Sequence, residues 1–179
     1  MTWGPQTDIT GDVELTIGEN TYVLLADAEA YFAGRLYAGA WNDTTDSDKA
    51  RALISATRSV ENLTIKFRRT VPTQTLNFPR RIIRDIATMD DWQWIYSVYD
   101  DTKVPQEVKD SECEEAFALL RYGDSERLRL QQQGVTSITL GKMQEQYGSG
   151  HSQMGLLSAD AYRMMTPWIA GAVRIVRPR

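Results

Sequence analysis

The chain has 179 residues, 42% of them hydrophobic and 25% charged, which is the composition of an ordinary soluble domain, and at ~100–200 residues per domain it is expected to form one. A net charge of −4 argues against a protein that grips nucleic acid with its whole surface. The single cysteine, Cys113, excludes an internal disulfide and a thiolate metal cage, and the single histidine, His151, leaves most histidine-dependent chemistry without its parts. No apolar run approaches the ~20 residues of a membrane span. The first residues lack the basic start and apolar stretch of a signal peptide, so the expectation is a protein made and folded in a cytoplasm, without membrane partners.

Residues 1–25 read as an N-terminal arm. Within it Val13, Leu15 and Ile17 alternate with polar residues, the period of a half-buried strand, and 21–25 form a second short apolar run. Alanines at 26, 28, 30 and 33 favour a helix over 26–38, with Gly39 ending it. Trp41 then anchors a loop of turn formers. The spacing of Ala50, Leu53, Ile54, Thr57, Val60 and Leu63 predicts a helix over 47–63, capped by Asp46 or Ser47, with Lys49, Arg51, Arg58 and Glu61 on its other side.

Charge then separates into blocks. Residues 64–84 carry Lys66, Arg68, Arg69, Arg80, Arg81 and Arg84 and no acid, and Pro72 and Pro79 forbid a continuous helix there. Residues 85–101 reverse the sign with five aspartates, among four aromatics, Trp92, Trp94, Tyr96 and Tyr99. Pro105 opens a helix over 105–122, where Val108, Glu112, Ala116, Leu119 and Leu120 follow one stripe. Acids crowd its first half and Arg121 closes it, the order that the helix dipole favours. The β-branched run from Val135 predicts a hairpin over about 135–147 around Gly141. Ser158 caps a last helix over 159–166, and the tail 171–179 is extended and basic. The expected fold is mainly α, a small helical bundle over 26–170 with a β-hairpin and extended N- and C-terminal arms.

Catalytic chemistry finds little support. His151 lies in a Gly/Ser loop without a rigid seat or an orienting partner. Cys113 sits among acids on an apolar helix face, the place of a small core residue and not of a nucleophile. Asp90-Asp91 and Asp100-Asp101 suit solvated loops better than a cation site. Gly148-Ser149-Gly150 has no Lys-Ser/Thr after it and is not a phosphate-cradling loop. The chain is therefore expected to be no enzyme and to need no metal or cofactor. The basic stretch, with Phe67 and Phe78 interleaved, is the one nucleic-acid candidate. The competing and preferred reading is charge pairing. Lys66, Arg68, Arg69, Arg80, Arg81 and Arg84 would meet the acidic segment that follows, or Glu107, Asp110, Glu114 and Glu115 of a neighbouring subunit.

Several elements occur in a fixed order: Glu19-Asn20-Thr21-Tyr22-Val23, Ala28-Glu29-Ala30-Tyr31-Phe32 with Arg35, and Trp41. Residues 49–57 (KARALISAT) follow, then Phe67-Arg68, Leu76-Asn77-Phe78-Pro79-Arg80, and Val104-Pro105 leading into Glu115-Ala116-Phe117. This order, over about 19–122, resembles the head–tail connector proteins of tailed bacteriophages, in the branch labelled "putative DnaT-like single-stranded DNA-binding protein". The resemblance implies a ring of twelve copies below the phage portal protein, in a virion assembled from protein made in the host bacterial cytoplasm. The ring would extend the channel for double-stranded DNA and dock the next tail component, a tail tube, nozzle or terminator. Val173, Arg174, Ile175, Val176, Arg177 and Arg179 would then dock the portal by strand addition and carboxylate pairing. The label itself offers the alternative, a single-stranded DNA-binding replication accessory protein.

Overall fold

In the computed structural model the residues described are 6–81, 100–123, 125, 137–140, 143–146 and 155–171. The chain begins with an antiparallel hairpin, β1 (Thr7–Thr10) and β2 (Val13–Thr16), in which Thr10 faces Val13 across a two-residue turn. Gly11 takes the first turn position at φ +63°, as a II′ turn requires. A Cβ there would also lie 2.5 Å from the Ser47 hydroxyl, so glycine is demanded twice. The stretch expected to be an extended arm is thus folded against the domain. Leu15, Thr21, Tyr22 and Val23 are buried, and Arg51 holds the turn through Asp12 at 2.8 Å.

Helix α1 (Leu25–Ala33) buries Leu25, Ala28 and Phe32 and stops at Gly34, earlier than its alanines suggest. Gly39 opens a short helix, α2 (Gly39–Asn42), instead of ending the first one, and delivers Trp41 to the core against Phe32. Helix α3 (Asp46–Glu61) is capped by Thr45, whose hydroxyl accepts from the Asp48 amide. Ala50, Leu53, Thr57 and Val60 of the expected stripe are buried, joined by Ala52, Ala56 and Lys49, while Ile54 and Leu63 are only half-buried and Leu63 lies beyond the helix. Lys49 is buried rather than solvated, because its ammonium pairs with Glu29 at 2.6 Å and Asp46 at 3.3 Å above the Trp41 ring.

A two-rung ribbon follows, β3 (Arg68–Arg69) paired with β4 (Arg80–Arg81). Helix α4 (Gln106–Tyr122) starts from Pro105 and is the centre of the fold, with every residue from Ser111 to Ala118 buried. The strands β5 (Ser137–Leu140) and β6 (Met143–Gln146) form the expected hairpin. Helix α5 (Ala159–Met165) is capped by Ser158 as expected and packs on α4. After it the chain returns to residues 64–66, where Lys66 donates to the Trp168 carbonyl and Ala170 to that of Thr64. Helices combine with small two-stranded antiparallel ladders, three among the described residues. The fold is accordingly mixed α and β and not a plain helical bundle. The N-terminal stretch and the basic connection after α3 both fold as ladders, and the first packs on α3.

The acids of α4 face inward. Glu114 accepts a two-pronged bond from Arg35 (Nε to Oε1 2.7 Å, Nη2 to Oε2 2.8 Å) and a third from the Tyr31 hydroxyl at 2.8 Å. Glu115 accepts from the backbone amides of Leu157 and Ser158 at 2.9 and 2.8 Å, at the start of α5. Burial raises its pKa and these two bonds oppose the rise. Cys113, between Glu112 and Glu114 in sequence, is a core thiol whose pKa is pushed up by burial and then by Glu112 and Asp110.

Glu112 is fully buried and receives the Tyr22 amide at 2.9 Å. Its other oxygen lies 2.6 Å from the Thr21 hydroxyl, which is also 2.7 Å from the Val23 carbonyl. A hydroxyl has one hydrogen, and a carbonyl can only accept. Both short contacts are satisfied together when Thr21 donates to Val23 and a protonated Glu112 donates to Thr21. The Thr57 hydroxyl, which lies 3.0 Å from the Leu53 carbonyl, is a further hydrogen-bonding neighbour of Glu112. Burial pushes Glu112 up to about 7, and its hydrogen bonds with Thr21, Thr57 and the Tyr22 amide limit the rise.

Two consequences can be measured. Gly11→Ala is expected to destabilise the domain by ~1–2 kcal/mol from the left-handed backbone, with a further cost from the Ser47 clash, in urea titration. For Glu112 the folded state holds its proton up to about 7, whereas the unfolded chain releases it near 4.5. Between those values the folded state binds more protons, so this group's contribution to stability falls as pH rises and stays low above 7. Glu112→Gln, which keeps a donor and an acceptor, should therefore gain on the wild type between pH 4.5 and 7.5. Glu112→Ala should lose ~2–4 kcal/mol throughout, by stranding the Tyr22 amide and opening a void. A Gln-to-wild-type difference that stays flat over that range would show Glu112 to be ionised in the fold.

Candidate nucleic-acid interface

The basic stretch becomes a site through its own local folding. Leu76 and Phe78 are buried, with the Phe78 ring edge-on to Tyr22 at 6.0 Å and to Trp168 at 5.5 Å. The Phe78–Pro79 peptide is cis. Glu61, at the end of α3, accepts the Asn77 amide at 2.9 Å and also the Tyr22 hydroxyl, which in turn accepts from the Phe78 amide at 3.1 Å. Burial and the nearby Glu61 raise the Tyr22 pKa, so the phenol stays a donor. Arg80 turns inward. Its guanidinium donates to the Phe67 carbonyl at 2.8 Å and to Asn77 Oδ1 at 2.6 Å.

Between these anchors the loop 70–79 is stitched by Gln74, which accepts from the Val71 amide and donates to the Leu76 and Pro79 carbonyls. Thr70 donates to the Asp101 carbonyl at 2.7 Å and so ties the loop to the segment leading into α4. Phe67, half-buried and at φ +67°, sets its ring edge-on to Trp168 at 6.5 Å. The result is a rigid ribbon that holds Arg68, Arg69 and Arg81 exposed.

The ribbon's electrostatics are one-sided. Arg68 and Arg81 are direct partners in the ladder, and like charges opposite one another on adjacent strands repel. Neither makes an ion pair with a described residue, and Arg69 donates to the Gln74 carbonyl at 3.1 Å instead of to an acid. The nearby Asp100 is committed elsewhere. Thr102 hydrogen bonds and Lys103 at 3.1 Å hold its carboxyl down to about 2. Three exposed arginines thus stand on a fixed backbone, Arg68 and Arg81 opposite one another on one face of the ladder, open to an anion.

The structure divides the residues predicted to pair between subunits. Lys66, Arg68, Arg69, Arg80 and Arg81 are gathered at the ribbon, with Arg80 inside it. Glu114 and Glu115 are nowhere near solvent and are bonded within their own chain, to Arg35 and to the start of α5, so they offer nothing to a neighbour. The carboxyl of Asp110 accepts from Gln106 at 2.8 Å, and Glu107 is exposed in the first turn of α4. Arg84, most of the acidic segment after it and the portal-docking residues Val173, Arg174, Ile175, Val176, Arg177 and Arg179 lie outside the described residues, as do His151 and Asp90-Asp91. Among the described residues no cluster of His, Cys, Asp or Glu could hold a metal ion, and no helix is long and apolar enough to cross a membrane.

Sequence reasoning does not find the exposed Leu36-Tyr37 pair, because its signal is a backbone angle that composition does not carry. Nor does it find Glu61 and Tyr22 as the supports of the ribbon, since helical spacing alone puts Glu61 on a solvated face.

Comparison with known proteins decides between the two readings of the resemblance. A family described as "Putative DnaT-like ssDNA binding protein" matches residues 9–178. No curated protein and no solved structure matches. The expectation of a head–tail connector is overturned by this match, since nothing in it points to one. With it go the twelve-copy ring, the portal and tail partners, the channel for double-stranded DNA and the virion location. The match also runs far beyond residue 122, so the C-terminal third is part of the shared family and not an addition peculiar to this chain. Residues 9–178 cover nearly the whole chain, and it belongs to the DnaT-like single-stranded DNA-binding protein family.

Proposed function

We propose that the chain is a non-catalytic accessory protein of replication that binds single-stranded DNA, with the β3–β4 ribbon as its phosphate contact. The observation that carries this is the opposition of Arg68 and Arg81 across the ladder, exposed and without a described acid partner. A fold that places two guanidinium groups face to face gains when an anion comes between them, and successive phosphates of a strand supply one. The net charge of −4 is compatible with this, because a local basic site steers a strand while the remaining surface limits indiscriminate binding. Arg80 and Glu61 supply rigidity, so little ordering cost accompanies binding.

The test is fluorescence anisotropy with labelled oligo-dT at a series of salt concentrations. Binding should be salt-sensitive, and Arg68→Ala/Arg81→Ala should weaken it and flatten the log–log salt slope by about 0.7, the share of the one phosphate that the pair no longer neutralises. Arg51→Ala, at a separate exposed ion pair, should leave both unchanged. Wild-type protein that fails to bind single strands, or a double variant with an unaltered slope, would remove the ribbon from this role.

A further inference from the structure

A second feature is built for exposure. Between α1 and α2 the chain turns through Arg35, Leu36 and Tyr37, and the last two are 80% and 89% exposed. Tyr37 stands at φ +59°, a left-handed conformation that bulky side chains rarely adopt. Strain of this kind persists only where the surroundings impose it, and it concentrates at sites of function. Here the imposing contact is visible. Arg35 is locked by its two-pronged bond to Glu114, and its guanidinium lies 4.2 Å from the centre of the Phe117 ring. The base of the turn is therefore fixed to the central helix, while its tip holds a flat ring and an aliphatic shoulder out in solvent.

We infer that Leu36-Tyr37 is a second contact for single-stranded DNA, a platform on which one unpaired base stacks on the Tyr37 ring. This rests on the reading of the chain as a single-strand binder. Size favours a base over a protein. A stable protein interface takes about 800 Å² from each partner, far more than two side chains on a convex tip present. One aromatic ring is the unit on which single-strand binders stack a base, without regard to its identity. The rigid anchor means that the ring needs no ordering when the base arrives.

Labelled oligo-dT and an abasic strand of the same length separate the two contacts. Tyr37→Ala should lower affinity for oligo-dT about tenfold, the stacking share of one base. Tyr37→Phe and Tyr37→Trp should retain affinity, and the salt slope should be the same in all of them because no phosphate contact is touched. On the abasic strand Tyr37→Ala and wild type should bind alike. Tyr37→Gly guards against misfolding as an explanation. It relieves the left-handed backbone, so it should raise the melting temperature and still show the tenfold loss. Tyr37→Ala and Tyr37→Gly at wild-type affinity, with Arg68→Ala/Arg81→Ala weakened, would overturn the platform and leave the ribbon standing. Wild-type protein that binds no single strand would overturn both. Unchanged DNA affinity with an altered sedimentation coefficient in Tyr37→Ala would overturn the platform in favour of a contact between copies of the chain.

Discussion

Three carboxyl groups within four residues of α4 are buried, and each binds a different part of the molecule. Glu112 takes the junction between β2 and α1, Glu114 takes Arg35 beyond the end of α1, and Glu115 takes the start of α5. Burying an acid is unfavourable unless its bonds are well made, so such groups specify an arrangement more than they strengthen it. A wholly apolar face on α4 would allow its neighbours to slide or rotate. Carboxylates that accept two or three defined bonds do not. The three also meet their burial differently. Glu112 is met by the Tyr22 amide and the Thr21 hydroxyl, Glu114 by a guanidinium, and Glu115 by two amides at a helix start.

Tyr22 carries this order outward to the candidate site. Its amide is bound by Glu112, its ring packs edge-on against Phe78, and its hydroxyl joins Glu61 to the Phe78 amide. One residue thus couples the buried acid to the segment that presents the arginines. The ribbon has only two rungs and would be marginal alone. It gains its stiffness from inside, through Arg80, Phe78 and Asn77, and that leaves Arg68, Arg69 and Arg81 with no structural task of their own beyond the Arg69 bond to Gln74 and its longer reach to Asn77.

Legibility in the sequence follows the range of the interactions. Helix α3, the Pro105 start of α4, the β5–β6 hairpin and the Ser158 cap are readable because their signals lie within a few residues: apolar spacing, proline, β-branched runs and a hydroxyl. The end of α1 is also within local reach, since Gly34 ends it, but the run of alanines on both sides of that glycine favours continuation. Lys49 and Glu61 look solvated in the sequence because a charged residue declares its structural role only through distant partners, Glu29 for the one and Tyr22 and Asn77 for the other. The basic block is visible as charge, but its division into one inward arginine and three outward ones depends on the Asn77 and Phe67 contacts of Arg80. The family resemblance is carried by real sequence order, and the match over 9–178 supports the DnaT-like branch of it and not the connector.

The Glu115 clamp has a bearing on how such a chain can vary. It fixes the start of α5 against the middle of α4, so both ends of the connection from Tyr122 to Leu156 belong to packed helices. The β5–β6 hairpin lies within that connection in the chain. Closing a longer excursion between fixed ends costs only about 0.6 kcal/mol for each doubling of its length. Relatives could therefore lengthen, shorten or replace the hairpin while the three acids, the ribbon and the Tyr37 turn stay where they are. In this architecture a hydrogen-bonded acid acts as a splice point, and the part of the chain most open to change is set apart from the parts that must not.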